Sequence, residues 1–339
     1  MEKEKILTLL KRYRAEIVDP YMKDKIRELH EKQDLKNLYD AMIYHLETGG
    51  KRWRPTLCIL ICEAFGGKIE EALPLASAIE LHHNWTLIHD DIEDGDEVRR
   101  DQPTVWKKYG LAHGINVGDA MNEVAYLVLS EGREKWGETV YADVHDLIHK
   151  HLIRITEGQT MDMNFRHQED ISEEEYMEMV TRKTGDLVVV AAVGGAIIGE
   201  APQEAQNALK KYSYTIGPAF QIRDDLLDYT KGKGRGGKIG NDVREGKRSL
   251  MVVHAFNHLT PEKKRELVRI LDTPREETTR EDVDRAKELM RSCGAFNHAE
   301  KKQKKLAKDA EEIVKKHIPQ SNAEDLLLGL SQFLIKRTL

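Results

Sequence analysis

An all-α fold is predicted for this chain from three observations. Proline is scarce, with nine residues among 339. Strand-like alternation bounded by turn residues is nearly absent. Long segments place apolar residues at the spacing of one helix face. In chain order these are Ile6–Val18, Leu75–Ile92, Val117–Leu129, Val144–Met161, Tyr176–Ile198, Ala205–Tyr229 and Leu306–Ile313.

The first segment lies in MEKEKILTLLKRYRAEI, which is charged and amphipathic and lacks a signal peptide's apolar run. Glycine-rich turns at Thr48-Gly49-Gly50 and Phe65-Gly66-Gly67 precede the second segment, and loops follow at Asp94–Pro103 and Lys231–Gly240. The most apolar stretch, Leu187–Gly199 (LVVVAAVGGAIIG), is shorter than the ~20 residues that span a bilayer. It reads as a buried helix whose small residues permit close helix packing. The charge-dense runs Pro261–Met290 and Glu300–Lys316 alternate in sign. Apolar residues recur in them (Leu267, Ile270, Leu271; Leu306, Ile313), the pattern of solvated outer helices. With no internal repeat and no Ser/Gly linker, one all-α domain over residues 1–339 is expected.

A net charge of −6, with 33% charged residues of both signs, argues against nucleic-acid binding. Cys58, Cys62 and Cys293 are too few for a disulfide scaffold and point to a reducing compartment. Cys58 and Cys62 stand one helical turn apart without a His or Cys partner at ligand spacing, so they read as small buried residues. No transmembrane segment is expected, and the location implied is cytoplasmic.

Two acidic clusters carry the chemistry. His89-Asp90-Asp91-Ile92-Glu93-Asp94 closes a long apolar helix, and Asp90 and Asp94 share a face. Unaided, two such carboxylates repel each other, and a divalent cation reverses that cost. Magnesium suits the site, because it takes a few carboxylates and substrate phosphate oxygens while keeping several waters. Gln221-Ile222-Arg223-Asp224-Asp225-Leu226-Leu227-Asp228 repeats the D-D-x-x-D spacing at the end of another apolar run. Two such clusters suggest magnesium and a diphosphate held between them.

Basic groups accompany them. Lys51 and Arg54 follow two glycines in GGKRWRP, Arg99 and Arg100 follow the first cluster, and KGKGRGGK then DVREGK follow the second. Arginine forks match phosphate oxygens, and lysine acts as a mobile point charge. A Gly/Lys-rich stretch is flexible enough to close as a lid.

These blocks resemble the trans-polyprenyl diphosphate synthases. GGKRWRP, LHHNWTLIHDDIEDGDEVRRDQPT, RKTGDLV, GPAFQIRDDLLDYT and GGKIGNDVREGKRS occur in that family's order over nearly the whole chain. The resemblance implies the isoprenoid synthase fold, helices around a deep central cavity, and a homodimer. It implies that Asp90, Asp94, Asp224 and Asp228 bind three magnesium ions around an allylic diphosphate (dimethylallyl, geranyl or farnesyl), supported by Asp91 and Asp225. Lys51, Arg54, His83 and Arg100 would hold isopentenyl diphosphate. Arg99, Lys183, Lys238 and Lys247 would hold the allylic diphosphate, and Thr184 and Gln221 would line the reacting carbons. Asp101 departs from the family, which usually has glycine there; an acid at this place would weaken anion affinity or pair with Arg99 or Arg100.

Product length is read from the helix before Asp90. Residues four to eight positions upstream lie roughly 6–12 Å deeper, at about 1.5 Å per residue. They include Thr86, Trp85 and His82. A single aromatic five positions before, with no insertion in the motif, resembles archaeal geranylgeranyl (C20) synthases. Aromatics at both four and five would instead resemble the eukaryotic-type farnesyl (C15) pattern, so C20 is expected ahead of a C15 or bifunctional C15/C20 enzyme. A class I terpene cyclase would lack the second D-D-x-x-D and the Lys51/Arg54 site, and a non-catalytic regulatory subunit would tend to lose one cluster.

Overall fold

A computed structural model describes residues 3–30, 35–230 and 239–336. The helices, in chain order, are α1 (Lys3–Tyr13), α2 (Asp19–Leu29), α3 (Lys36–Glu47), α4 (Trp53–Ala64), α5 (Ile69–Glu93), α6 (Val105–Tyr109), α7 (Leu111–Ser130) and α8 (Gly132–Phe165). They continue with α9 (Glu173–Val180), α10 (Asp186–Ile198), α11 (Gln203–Asp228), α12 (Asn241–Arg244), α13 (Leu250–His258), α14 (Pro261–Leu271), α15 (Arg280–Ser292), α16 (Ala295–His317) and α17 (Asn322–Lys336). Among the described residues, strand is confined to the two-residue pair β1 (Val98–Arg99) and β2 (Gln102–Pro103). The all-α expectation holds.

Local chemistry sets the boundaries. Ser172 Oγ accepts from the Glu175 amide while the Ser172 amide donates to the Glu175 carboxylate, a capping box that starts α9. Thr279 and Asp282 do the same for α15. Gly110, at φ +96°, separates α6 from α7, and Gly137, at φ +74°, breaks α8 near its start. The segment expected as one helix over Tyr176–Ile198 is interrupted by a π-helical turn at Thr181–Gly185. Apolar periodicity does not register the one-residue offset such a turn introduces.

The chain forms two compact units. The first holds residues 1–149, 187–210 and 314–329. In it α5 packs on α4 and α7. The apolar stretch of α10 is buried there as expected, with Val188, Val189 and Val190 inaccessible. A Cβ added at Gly195 would lie 2.4 Å from the Cys58 carbonyl oxygen, and one at Gly199 would lie 2.7 Å from that of Cys62. The glycines therefore let α10 touch the backbone of α4. Cys58 and Cys62 are buried free thiols, with pKa values pushed up by desolvation.

The second unit holds residues 150–186, 211–313 and 330–339. Its core includes Tyr176, Ile222, Leu226, Leu250, Met251 and Leu289, and the Tyr229 and Phe296 rings meet edge-on at 5.2 Å. The charge-dense helices α14 and α15 bury Leu267, Ile270, Leu271 and Leu289 while Arg285 pairs with Glu266 at 2.8 Å outside. No helix among the described residues is long and apolar enough to cross a membrane.

Candidate active site

In the first unit the site is built at the C-terminal end of α5. Asp90 is half-buried, and Asp91 and Asp94 are buried. Arg99, on β1, donates from Nε to Asp91 Oδ1 at 2.6 Å and from Nη2 to Asp90 Oδ2 at 3.4 Å. Trp106 Nε1 donates to the carbonyls of Asp91 (3.0 Å) and Asp96 (2.8 Å), fixing the chain as it leaves the helix. Burial raises the Asp91 carboxyl to about 7 against the opposing pull of Arg99. Its Oδ2 is buried and has no hydrogen-bond partner among the described residues.

β1 and β2 pair Val98 with Pro103 and Arg99 with Gln102, so Arg100 and Asp101 form a two-residue turn. Both have positive φ, +52° and +62°. This geometry explains the departure seen in the sequence: the turn needs a left-handed residue, which glycine adopts freely and aspartate tolerates. Asp101 is exposed, and among the described residues no ion pair joins it to Arg99 or Arg100, so the pairing half of that expectation is not met.

Other basic residues singled out in the sequence lie at or beside the turn before α4. Gly49 and Gly50 have φ of +121° and +118°. Arg100 Nη1 donates to the Gly49 carbonyl. Arg100 is held below its ordinary pKa by desolvation of its guanidinium and by Arg52 and Arg99. Arg54 Nη1 donates to His83 Nε2 at 3.1 Å. Burial, with Arg54 and Arg100 close by, keeps His83 neutral, its pKa well below the usual histidine value. Lys51 is exposed. Arg54, His83 and Arg100 thus belong to one neighbourhood of α4, α5 and the hairpin turn, and Lys51 stands in the chain between Gly50 and α4.

Below Asp90 on α5, the Trp85 ring lies edge-on to His82 (6.2 Å) and His89 (6.0 Å). His82 Nδ1 donates to Asn122 Oδ1 at 3.0 Å, and its ring meets Tyr126 of α7 edge-on at 4.8 Å. Thr86 spends its hydroxyl on the His83 carbonyl at 2.8 Å.

In the second unit the π-helical turn presents Lys183 and Thr184. It fits because glycines approach it: a Cβ at Gly158 would lie 2.4 Å from the Lys183 nitrogen, and one at Gly217 would lie 2.6 Å from the Gly185 Cα. Lys183 Nζ donates to Asp162 Oδ2 at 2.6 Å. Thr184 Oγ1 donates to Gln221 Oε1 at 3.1 Å, and Gln221 Nε2 donates to Asp225 Oδ1 at 2.9 Å. Tyr176 donates to the other Asp225 oxygen at 2.9 Å. Burial raises Asp225 to about 6, against the lowering effect of Gln221 and Tyr176.

Asp224 is exposed on α11, while Asp228 is buried. Asp228 accepts from Asn241 Nδ2 (3.3 Å) and the Asp242 amide (3.1 Å), tying the end of α11 to α12. Lys247 Nζ lies 2.7 Å from Glu245 Oε2. Lys238 lies outside the described residues. Sequence reasoning missed Asp162, Tyr176 and Arg52, whose partners Lys183, Asp225 and Glu80 lie far away in the chain.

The chain is similar to known proteins over nearly its whole length. Residues 35–290 match the polyprenyl synthetase family. A geranylgeranyl pyrophosphate synthase of Geoglobus acetivorans is 35% identical over 328 residues, covering 96% of this chain and 97% of its own. A geranylfarnesyl diphosphate synthase of Aeropyrum pernix is 34% identical over 308 residues, covering 88% and 94%. The crystal structure of geranylgeranyl pyrophosphate synthetase from Pyrococcus horikoshii superposes with a TM-score of 0.88 at 33% identity, covering 99% of both chains. Fold and motifs together define an enzyme that transfers prenyl groups, with the all-α isoprenoid synthase fold. The chain belongs to the polyprenyl synthetase family, whose members use isoprenyl diphosphates and are in general magnesium-dependent.

Proposed function

We propose that the chain is a geranylgeranyl diphosphate synthase, condensing isopentenyl diphosphate with dimethylallyl, geranyl and farnesyl diphosphates to a C20 product. The observation that carries the product length is Trp85, a lone large ring one turn below Asp90 and braced by His82 and His89. The geranylgeranyl synthases among its relatives support the same length. The 34% identity to a geranylfarnesyl synthase favours a C25 product as the second reading.

Asp90, Asp94, Asp224 and Asp228 would supply ligands for three magnesium ions. The donor set fits a hard cation, being carboxylate oxygens, and the unpartnered Asp91 Oδ2 leaves acceptor capacity beside them. When bound, magnesium would neutralise charge on the departing diphosphate and so favour ionisation of the allylic carbon. Arg99, Lys183, Lys238 and Lys247 would bind that diphosphate, and Lys51, Arg54, His83 and Arg100 would bind isopentenyl diphosphate.

The amide of Gln221 is oriented by Asp225, which leaves its oxygen towards Thr184. These two oxygens would place negative dipole ends against the allylic cation. Attack by the isopentenyl double bond then forms the new carbon–carbon bond, and a proton is lost to the released diphosphate. Water must be kept from the cation, which would otherwise be quenched to an alcohol.

The family match crosses residues of both units, which supports reading the chain as one synthase domain. We assign it to the cytoplasm as a homodimer. The deciding experiment incubates the protein with magnesium, isopentenyl diphosphate and each allylic starter, and reads product length by chromatography. A C20 product is expected. A C25 or C15 product would overturn the length, and no condensation with any starter would overturn the activity. Asp90→Ala should lower turnover by orders of magnitude while leaving the circular dichroism spectrum intact.

A further inference from the structure

The tripeptide Gly-Lys-Arg occurs twice, at 50–52 and 246–248, and both copies share three features. In each the glycine has positive φ, +118° at Gly50 and +66° at Gly246. In each the lysine is exposed or half-buried and the arginine is sealed inside. Arg52 and Arg248 are 1% and 2% exposed and are the two largest fully buried side chains among the described residues.

A guanidinium is costly to bury unless its donors are matched. Both are matched, and partly by the backbone of their own loop. Arg52 donates to the carbonyls of Leu46 (2.7 Å) and Gly49 (3.0 Å), and to Asp19 (2.6 Å) and Glu80 (2.9 Å) on α2 and α5. Arg248 donates to the carbonyls of Gly246 (2.9 Å) and Gln168 (3.2 Å), and to Asp272 (2.8 Å) at the end of α14.

The glycines are part of the device. A Cβ at Gly50 would lie 2.7 Å from Arg52 Nη1, and one at Gly246 would lie 2.7 Å from the Leu271 carbonyl oxygen. Both guanidinium groups are buried with their donors engaged by protein oxygens. Both tie turn carbonyls to an acid on a neighbouring element.

We infer that Arg52 and Arg248 are positioning residues, each fixing the turn from which the preceding lysine, Lys51 or Lys247, reaches a diphosphate. The inference rests on the proposed reading of those lysines as diphosphate ligands. Lysine cannot replace either arginine, because it keeps the charge but loses the planar fork that spans carbonyl and carboxylate together.

The test is steady-state kinetics of the full chain in magnesium buffer, varying isopentenyl diphosphate and the allylic starter in turn. Lys51→Ala and Lys247→Ala establish which KM each lysine controls; isopentenyl diphosphate is expected for the first and the allylic diphosphate for the second. Arg52→Lys should then raise the same KM as Lys51→Ala, about tenfold, with the other KM and kcat little changed. Arg248→Lys should copy Lys247→Ala.

A general loss of structure would move both constants together and lower the melting temperature. If either arginine variant does that, or leaves both constants unchanged while its lysine variant is selective, the inference fails. If the lysine variants alter neither KM, the ligand reading itself fails, and the inference with it. Should an arginine variant melt below the assay temperature, Glu80→Gln and Asp272→Asn give the same comparison with the loop sequences intact.

Discussion

Gly195→Ala should both weaken the fold and slow the enzyme. The added methyl carbon would lie 2.4 Å from the Cys58 carbonyl oxygen, 3.1 Å from the carbonyl carbon and 3.2 Å from Cα. All three are backbone atoms of α4 and cannot swing aside. Ordinary contact begins at 3.4 Å, so α4 and α10 must part locally by about 1 Å. Overpacking of this kind costs about 1–3 kcal/mol, and a clash with backbone belongs at the upper end. Alanine returns up to about 1 kcal/mol through its better helix propensity, leaving a net loss of about 2 kcal/mol.

The same shift carries Arg54, in the first turn of α4, away from His83. Displacements of that size can cost up to about a hundredfold in rate, so a tenfold fall in kcat/KM is expected. Urea unfolding followed by circular dichroism gives the first quantity and steady-state kinetics the second. Gly194→Ala is the control, because its methyl would meet Leu75 Cδ2, the end of a flexible side chain. A Gly195→Ala protein as stable as the parent, or less affected than Gly194→Ala, would refute the packing argument.

Trp85→Ala should lengthen the product beyond that of the parent enzyme, read by chromatography of the hydrolysed prenols; an unchanged distribution would remove Trp85 as the floor. Asp101→Gly should raise stability by about 0.5–1 kcal/mol, since glycine relieves the left-handed strain at φ +62° despite its greater freedom when unfolded. A lower urea midpoint for that variant would show that the aspartate has a compensating contact. Burial, with Arg99 and Arg100 nearby, lowers His45 to about 3. Between that value and the unfolded pKa near 6.5 the unfolded chain binds a proton that the folded chain does not, so this group makes stability fall as pH drops. His45→Gln should therefore flatten the acid side of the stability profile by up to about 1.4 kcal/mol per pH unit, measured as urea midpoints at pH 5 and 7.

Helix content and the chemistry-bearing motifs were legible because they rest on spacing. Apolar periodicity located the cores of α5, α7, α8 and α11, and the repeated D-D-x-x-D marked two helix ends. The small residues of Leu187–Gly199 announced close packing, which Gly195 and Gly199 bear out against α4. What escaped was set by burial rather than pattern. Arg52 and Arg248 were not singled out, because no local spacing distinguishes a guanidinium that points inward. Asp162 and Tyr176 act on Lys183 and Asp225 through partners 21 and 49 residues away, beyond any helical repeat. The π-helical turn at Thr181–Gly185 was invisible for a similar reason: the glycines that make room for it, Gly158 and Gly217, lie on other helices. The Asp94–Pro103 loop concealed a hairpin whose strands are too short to alternate.

Because His83 takes a hydrogen bond from Arg54 instead of a proton from solvent, the basic neighbourhood at α4 draws its charge from arginine and lysine alone. Groups of that kind do not titrate near neutrality. Acidifying the surroundings by a unit from neutral would alter the protonation of a bound diphosphate without changing the charge this neighbourhood offers it. The histidine serves there as an insulator, supplying shape and an acceptor while keeping the site's electrostatic setting constant.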